Sequence, residues 1–193
     1  MNQAKSNEQY DNIIAQCKNE FVEKNKKYGN SLDPYDANGV LSKIFIKLYR
    51  IKSIQEEGTY LVENESIEKE VPGIVNYCLY GLILARQIVS GMRICYEEEL
   101  LFKEYDISAA ATRALFQKKN HDYGEAWRDL SVSYMTQECL VKFTRMKNLY
   151  AKLKFEKDRR AELQKEFIEV FSDICNYQIF CAILISEGVN PMI

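Results

Sequence analysis

Histidine and paired cysteines are scarce in this sequence, and their scarcity disfavours two kinds of chemistry. His121 is the one histidine among 193 residues, and no two cysteines form a Cys-x-x-Cys pair. A zinc site or a Cys–His nucleophile pair draws on several such residues, so we expect neither. The six cysteines lie within apolar helical patterns, as small buried residues of a reducing compartment do. They are Cys17, Cys78, Cys95, Cys139, Cys175 and Cys181.

Glycine, proline and long apolar runs are also rare. The chain has 8 glycines and 3 prolines, while 47% of its residues are hydrophobic and 28% are charged. This balance is typical of a compact helical protein. No stretch of about 18 consecutive apolar residues occurs, and the segment MNQAKSNEQYDN lacks the apolar core of a signal peptide. We therefore expect a cytoplasmic protein without a membrane partner.

The charge balance bears on the class of partner. The formal net charge is −2 at pH 7, so the chain has no overall basic field. Proteins that hold polymeric DNA or RNA without sequence preference depend on such a field. The balance therefore argues against a polymeric nucleic acid as a partner. It is compatible with a nucleotide or another phosphorylated small molecule as the ligand, and with assembly into a homo-oligomer.

The most informative feature that is present is an internal duplication. Three blocks of the first half recur in the same order in the second half, with 4 of 9, 3 of 9 and 5 of 11 residues identical. The blocks are KNKKYGNSL (24–32) with KNHDYGEAW (119–127), IKLYRIKSI (46–54) with VKFTRMKNL (141–149), and IVNYCLYGLIL (74–84) with ICNYQIFCAIL (174–184). The first two pairs are offset by 95 residues and the third by 100, a length change that a loop can absorb.

Each repeat reads as three helices, which predicts an all-α fold. Apolar residues recur at helical spacing, and no long alternation of apolar and polar residues suggests a strand. We predict one domain over 1–193, a six-helix bundle with a pseudo-twofold axis, in which the repeats cover 8–90 and 98–187. Pro72 is expected in the first turn of the third helix. That helix runs to about 90, and the other predicted helices cover roughly 8–27, 37–56, 98–120, 136–157 and 160–187.

An acidic stripe along the last predicted helix is the sharpest local pattern. Glu162, Glu166, Glu169, Asp173 and Asn176 follow at spacings of 4, 3, 4 and 3, which places them on one helix face. Its first two members fit a solvated surface. Asp173 and Asn176 lie in the apolar run VFSDICNYQIFCAILI, where a carboxylate has to be paired or metal-bound. A satisfied polar pair and a functional site both fit that position.

From these carboxylates follows the hypothesis that the protein binds a hard cation through oxygen ligands. Mg²⁺ and Mn²⁺ prefer carboxylate ligands. The candidate ligands are Glu169 and Asp173, with Glu166 and Asp122 as further candidates.

The preceding helix carries the opposite charge. Lys142 and Arg145 flank its apolar stripe, and Lys47 and Arg50 repeat the arrangement in the first half. Such residues serve either as partners of the acidic stripe or as a clamp for phosphate oxygens. The recurrence in both halves favours a role over simple solubilisation.

The segment KNHDYGEAWRD (119–129) supplies the third set of candidates. Tyr123 and Trp127 could stack on a flat ligand, and Arg128 could meet a phosphate. The alternative is a helix stop whose aromatic side chains pack onto the bundle.

The halves differ at the acidic and aromatic positions but share one polar position, Asn76 and Asn176. This difference predicts a single site built mostly after residue 119, with the first half as scaffold. The differing pairs are Asp173 and Gly73, Glu169 and Lys69, Asp122 and Lys27, Trp127 and Leu32, and Arg128 and Asp33.

These motifs resemble the nucleotide modification associated domain 1 family. The patterns are K-x-x-D-Y-G followed by W-R, then I/V-K-x-x-R-[IM]-K, then D-[IV]-x-N-Y, and the resemblance covers both repeats. It implies a small helical domain associated with the metabolism of modified nucleotides. The resemblance implies that the residues matching the family's motifs form the site. In this sequence they are Asp122, Tyr123, Gly124, Trp127, Arg128, Lys142, Arg145, Asp173 and Asn176.

A looser similarity links the chain to the MazG-like and dimeric dUTPase-type all-α nucleotide pyrophosphohydrolases. That similarity implies Mg²⁺ held against a di- or triphosphate by acidic motifs on neighbouring helices. Here the last helix offers E-x-x-E-x-x-x-D (166–173), and the helix before it is basic, with only Glu138 as a possible acidic partner. This departure weakens the hydrolase hypothesis.

Three functions are therefore compared. The leading hypothesis is a nucleotide-handling protein, with a magnesium-dependent pyrophosphohydrolase as its enzymatic form. The alternatives are a non-catalytic nucleotide-binding accessory protein and a structural helical interaction protein. Convergence of Asp122, Asp173 and Arg145 on one open cleft would favour nucleotide handling. A closed Asp173–Arg145 pair without a cavity would favour the structural function.

Overall fold

The computed structural model describes residues 3–63, 66–89 and 97–192, and this part of the chain folds into six long helices and no strand. The all-α prediction is thereby confirmed. The helices are α1 Gln3–Tyr28, α2 Ala37–Glu57, α3 Ile67–Gln87, α4 Glu98–Tyr123, α5 Val132–Phe155 and α6 Arg160–Ser186. Two short 3₁₀ turns, Ala126–Asp129 and Lys157–Arg159, precede α5 and α6.

Local capping chemistry sets several helix boundaries. The side chain of Asp36 accepts the Gly39 amide at 2.8 Å at the start of α2, and Ser131 accepts the Tyr134 amide at 3.1 Å at the start of α5. Each bond satisfies a donor that the first helical turn leaves free. Helix α4 ends where Gly124 adopts a left-handed conformation at φ 61°. The Tyr-Gly step is thus a helix stop, which was one of the two interpretations of this segment.

The position of Pro72 was predicted incorrectly. Helix α3 begins at Ile67, so Pro72 lies inside the helix instead of in its first turn. Ser66 has the extended backbone that precedes a helix, and acidic Glu68 and Glu70 occupy the first turns, where the helix dipole favours them. These signals place the start of α3 earlier than proline alone suggested. The predicted end near residue 90 lies outside the described residues, as does Cys95.

The helices of the two repeats pack in an equivalent manner. Helices α3 and α6 form the centre, α2 packs on α3, and α5 packs on α6. Tyr10 of α1 donates to Asn176 Oδ1 of α6 at 2.9 Å, and Tyr105 of α4 donates to Asn76 Oδ1 of α3 at 2.7 Å. Each repeat therefore places its first helix against the third helix of the other. This reciprocity is what a pseudo-twofold axis produces.

Helix α6 contains a long apolar segment. The segment Lys157–Ser186 has the length and composition of a membrane-crossing helix, yet 72% of its most apolar window is buried within the fold. A helix that is apolar on all sides is expected at the centre of a bundle. Its burial positions Asp173 and Asn176 in the interior.

Candidate functional site

A cavity of about 320 Å³ lies within the second repeat, between the end of α4, the turn after it, and helices α5 and α6. This size is at the lower end of the range that small-molecule sites occupy. The polar and aromatic side chains that line it are Lys119, Asn120, Tyr123, Trp127, Lys142, Asp173, Asn176, Tyr177 and Phe180.

Helix α6 supplies the floor of the cavity through one face. Asp173, Asn176, Tyr177 and Phe180 follow at helical spacings, so their side chains project on the same side over two turns. From Asp173 to Phe180 the helix rises by about 10 Å. The cavity is therefore elongated along α6, with a charged end at Asp173 and an aromatic end at Phe180.

At the charged end, one carboxylate holds two ammonium groups. Lys119 Nζ of α4 lies 2.5 Å from Asp173 Oδ1, and Lys142 Nζ of α5 lies 2.6 Å from Asp173 Oδ2. Asp173 is only 5% exposed, and both lysines reach further toward solvent. Burial acts to raise the pKa of Asp173, but the hydrogen bonds and charges of the two lysines outweigh it and hold this pKa below its ordinary value.

At the aromatic end, Trp127 forms part of the wall. Its ring stacks on Phe180 with centroids 4.5 Å apart, the Arg128 guanidinium lies 4.3 Å from its centroid, and its Nε1 donates to Asn120 Oδ1 at 2.9 Å. These contacts leave Trp127 7% exposed. Tyr123 differs, because it is 71% exposed at the cavity rim.

Between the two ends lies Asn176, which is 4% exposed. Its Oδ1 accepts the Tyr10 hydroxyl at 2.9 Å, whereas its Nδ2 has no hydrogen-bond partner among the residues that the structure describes. Buried amide groups are nearly always paired, so a donor left free at a cavity wall is unusual.

Helix α1 of the first repeat fixes the turn that carries Trp127. Glu125 adopts a left-handed conformation at φ 63°, which is strained for a residue with a side chain. Its carboxylate accepts Ser6 Oγ at 2.5 Å and Asn120 Nδ2 at 3.2 Å, and these bonds hold the turn in place. Burial acts to raise the pKa of Glu125, but these bonds and the charge of Arg128 lower it overall.

Arg128, a predicted phosphate ligand, belongs to the same network and does not line the cavity. Its guanidinium donates to Ser6 and Gln9, at 2.7 Å each, and to Glu187 at 2.8 Å. These contacts tie the turn to both α1 and the end of α6.

Arg145 and Glu169, two further predicted site residues, lie outside the cavity. Arg145 approaches Glu166 at 3.3 Å and Glu169 at 3.4 Å, and Glu169 is 54% exposed on its side chain. Asp122 is exposed and contacts His121. Asp122, Asp173 and Arg145 therefore do not converge on one cleft, and no closed Asp173–Arg145 pair forms. Asp173 instead lies in an open cavity and pairs with two lysines.

The side chains do not fit the predicted metal site. Both oxygens of Asp173 already face ammonium groups, and Glu169 turns to Arg145. Within the ranges that the structure describes, no three His, Cys, Asp or Glu side chains gather as a ligand set. Binding of Mg²⁺ or Mn²⁺ stays a prediction.

Lys119 is the residue that sequence reasoning missed. It is identical with Lys24 in the first repeat block, and that identity was the available signal. Its proximity to Asp173 depends on how α4 packs against α6, which the local pattern does not encode.

The first repeat contains an equivalent but smaller cavity of about 160 Å³. Lys24, Lys47 and Asn76 line it, but Gly73 stands where Asp173 does in the other repeat. Lys47 instead pairs with Glu70 at 2.5 Å. Equivalent positions thus form two cavities of unequal size and charge.

The comparisons with known proteins give one match. The model of the nucleotide modification associated domain 1 family matches residues 24–84 and 119–185, which together are more than half of the chain. No curated protein and no solved structure matches. The two matched segments lie within the two repeats, and the second of them contains all the residues that line the larger cavity.

Proposed function

Because the chain belongs to the nucleotide modification associated domain 1 family, in two tandem copies, we propose that it binds a nucleotide in the cavity of its second repeat. The observation that carries this proposal is the convergence of Lys119 and Lys142 on an open cavity with aromatic walls. The family's name links the chain to nucleotide modification, and we propose a role in the metabolism of modified nucleotides.

The two lysines are the phosphate-binding groups of the proposal. Ammonium groups form charge-assisted hydrogen bonds with phosphate oxygens, and these bonds are stronger than neutral ones. Both side chains keep part of their surface toward solvent, so a phosphate can approach them without unfolding the site. Lys142 retains the role predicted from the sequence, and Lys119 replaces Arg145 and Arg128 as its partner.

The nucleobase occupies the aromatic part of the cavity in this proposal. Tyr123 is exposed at the rim and offers a ring face for stacking, and Tyr177 and Phe180 line the wall beyond it. Trp127 already stacks on Phe180, so it contributes a wall instead of a free stacking platform. The cavity volume suits one nucleotide and is too small for a stretch of polymer.

Binding, not turnover, is the proposed activity. Hydrolysis of a di- or triphosphate needs carboxylates that hold a cation against the leaving group. The lysine contacts of Asp173 and the outward position of Glu169 do not favour such a step. The proposal therefore matches the non-catalytic nucleotide-binding alternative most closely.

Isothermal titration calorimetry of the purified chain tests this proposal. The probes are the common deoxynucleotides, each titrated with and without Mg²⁺. Lys119→Met is expected to weaken binding by about tenfold or more, because one charge-assisted bond is lost. Lys24→Met, the matched change in the first repeat, is expected to leave binding unchanged. Equal losses in both variants, or no binding by wild-type protein, would overturn the proposal.

A further inference from the structure

We infer that the cavity selects nucleoside monophosphates over triphosphates and that Asn176 recognises a hydrogen-bond acceptor on the nucleoside. This inference rests on the proposed function and names the class of its ligand. It depends on the charge at one end of the cavity and on the free amide in the middle.

The charge at the phosphate end suits one phosphate group. Lys119, Lys142 and Asp173 are the charged residues among those that line the cavity. Two ammonium groups and one carboxylate leave a net of one positive charge. A triphosphate brings several negative charges that this end cannot neutralise. In the part of the chain that the structure describes, no group of three or more His, Cys, Asp or Glu side chains gathers to hold a cation.

The hydrogen-bond polarity of Asn176 is set by Tyr10. The Tyr10 hydroxyl donates to Oδ1, which leaves Nδ2 as the amide group without a hydrogen-bond partner among the described residues. An amide nitrogen donates and cannot accept. The ligand atom that meets it therefore has to be an acceptor, such as a carbonyl oxygen or a ring nitrogen with a lone pair.

The first repeat supports this orientation. Asn76, the counterpart of Asn176, accepts the Tyr105 hydroxyl at 2.7 Å on Oδ1 and donates from Nδ2 to the Cys17 carbonyl at 3.0 Å. A backbone carbonyl only accepts, so the orientation of Asn76 is unambiguous. The equivalent donor in the second repeat has no partner in the described part of the chain, and it belongs to a residue that lines the larger cavity. The Nδ2 of Asn76 thus has a partner within the protein, whereas in this inference a ligand supplies the partner of the Nδ2 of Asn176.

The place of Asn176 along α6 assigns its contact to the nucleoside. It lies one helical turn from Asp173, in the direction of Phe180. One turn corresponds to about 5 Å along the helix. With the phosphate at the two lysines, an acceptor at that distance belongs to the sugar or the base.

Phosphate number is tested by calorimetry without Mg²⁺. Thymidine, its 5′-monophosphate and its 5′-triphosphate are titrated into the full chain. The same three forms of deoxyadenosine, deoxycytidine and deoxyguanosine follow. The best-bound monophosphate is expected to bind at least about tenfold more tightly than its nucleoside, and also more tightly than its triphosphate. A triphosphate that binds as tightly as the monophosphate, or more tightly, would overturn the inference while leaving nucleotide binding intact. Absence of binding by every nucleotide would overturn the proposed function as well.

The role of Asn176 is tested with two substitutions. Asn176→Asp keeps the acceptor for Tyr10 but replaces the donor by a carboxylate oxygen, and Asn176→Ala removes the amide without adding charge. Both are expected to weaken monophosphate binding by about tenfold or more. The alanine variant keeps the test available where the aspartate variant does not fold.

Asn76→Ala is the matched control, because it removes a satisfied amide from the scaffold repeat. It is expected to lower the melting temperature more than Asn176→Ala does and to keep monophosphate affinity. Wild-type affinity in Asn176→Ala would overturn the assignment of this residue. Equal affinity losses in both alanine variants would overturn it too.

Discussion

The carboxylate of Asp173 and the ammonium group of Lys142 lie 2.6 Å apart across the contact between α5 and α6. Lys119 reaches the same carboxylate from α4 at 2.5 Å, so one buried acid joins three helices of the second repeat. The side chain that lines the cavity thus also stabilises the fold. Variants at this position separate the two roles when stability and binding are measured on the same protein.

Asp173→Asn should lower stability without abolishing binding. Removing one partner of a fully buried ion pair costs about 3–5 kcal/mol, and the cost here should be nearer 2 kcal/mol (~4–8 °C in melting temperature) because both lysines are partly exposed. The freed ammonium groups should bind a monophosphate at least as tightly as before. Calorimetry and thermal melts on this variant check both effects. Selective loss of an Mg²⁺-dependent component would instead favour the metal site.

The acid sensitivity of the fold should depend on Asp173. Its folded pKa lies below its usual value, so the ionised carboxylate stabilises the fold above the unfolded pKa of about 3.9. This stabilisation is lost as the pH falls through the folded pKa. Melting temperatures of wild-type protein and Asp173→Asn should therefore converge as the pH is lowered from 7 to 3. A constant difference over that range would contradict the ion-pair account.

Gly81→Ala should disrupt the contact between the two central helices. A Cβ atom at Gly81 would lie 2.3 Å from Phe171 Cε1, and neither α3 nor α6 can move without disturbing the core. We expect a cost of about 1–3 kcal/mol, measured by denaturant unfolding. Gly73→Ala is the control, because its Cβ would meet the flexible end of Lys47 at 2.8 Å, which can move aside. A larger cost for Gly73→Ala would contradict the packing argument.

The fluorescence of Trp127 should report ligand binding. It is the one tryptophan of the chain, and it lines the cavity beside Asn120 and Phe180. A bound nucleotide changes the polarity around the indole, so the emission intensity or maximum should shift with saturation. The shift should be lost in Lys119→Met at the same ligand concentration. Calorimetrically proven binding without any emission change would move the site away from this cavity.

Features that depend on neighbouring residues were predictable from the sequence. The Tyr-Gly helix stop follows from the left-handed backbone that glycine adopts without strain, and Gly124 adopts it. The burial of Asp173 followed from the apolar run around it. Pro72 misled the prediction because α3 begins five residues before it, at Ile67, after the extended backbone of Ser66.

The partners of the buried acid were only half predictable. Lys142 and Arg145 were equal candidates from their spacing, yet the rotation of α5 against α6 turns Lys142 toward Asp173 and Arg145 toward Glu166 and Glu169. A ladder of basic residues winds around its helix, so which member meets the next helix depends on their packing angle.

By itself, the sequence determined the repeat, the helical class and the family, because identities at constant offsets and helical periodicity are properties of the chain alone. Only the tertiary structure decided that Lys119 meets Asp173 and that Tyr10 of one repeat orients Asn176 of the other. These pairs are separated by 54 and 166 positions. Their geometry arises from the packing of whole helices about the pseudo-twofold axis, and no local pattern specifies it.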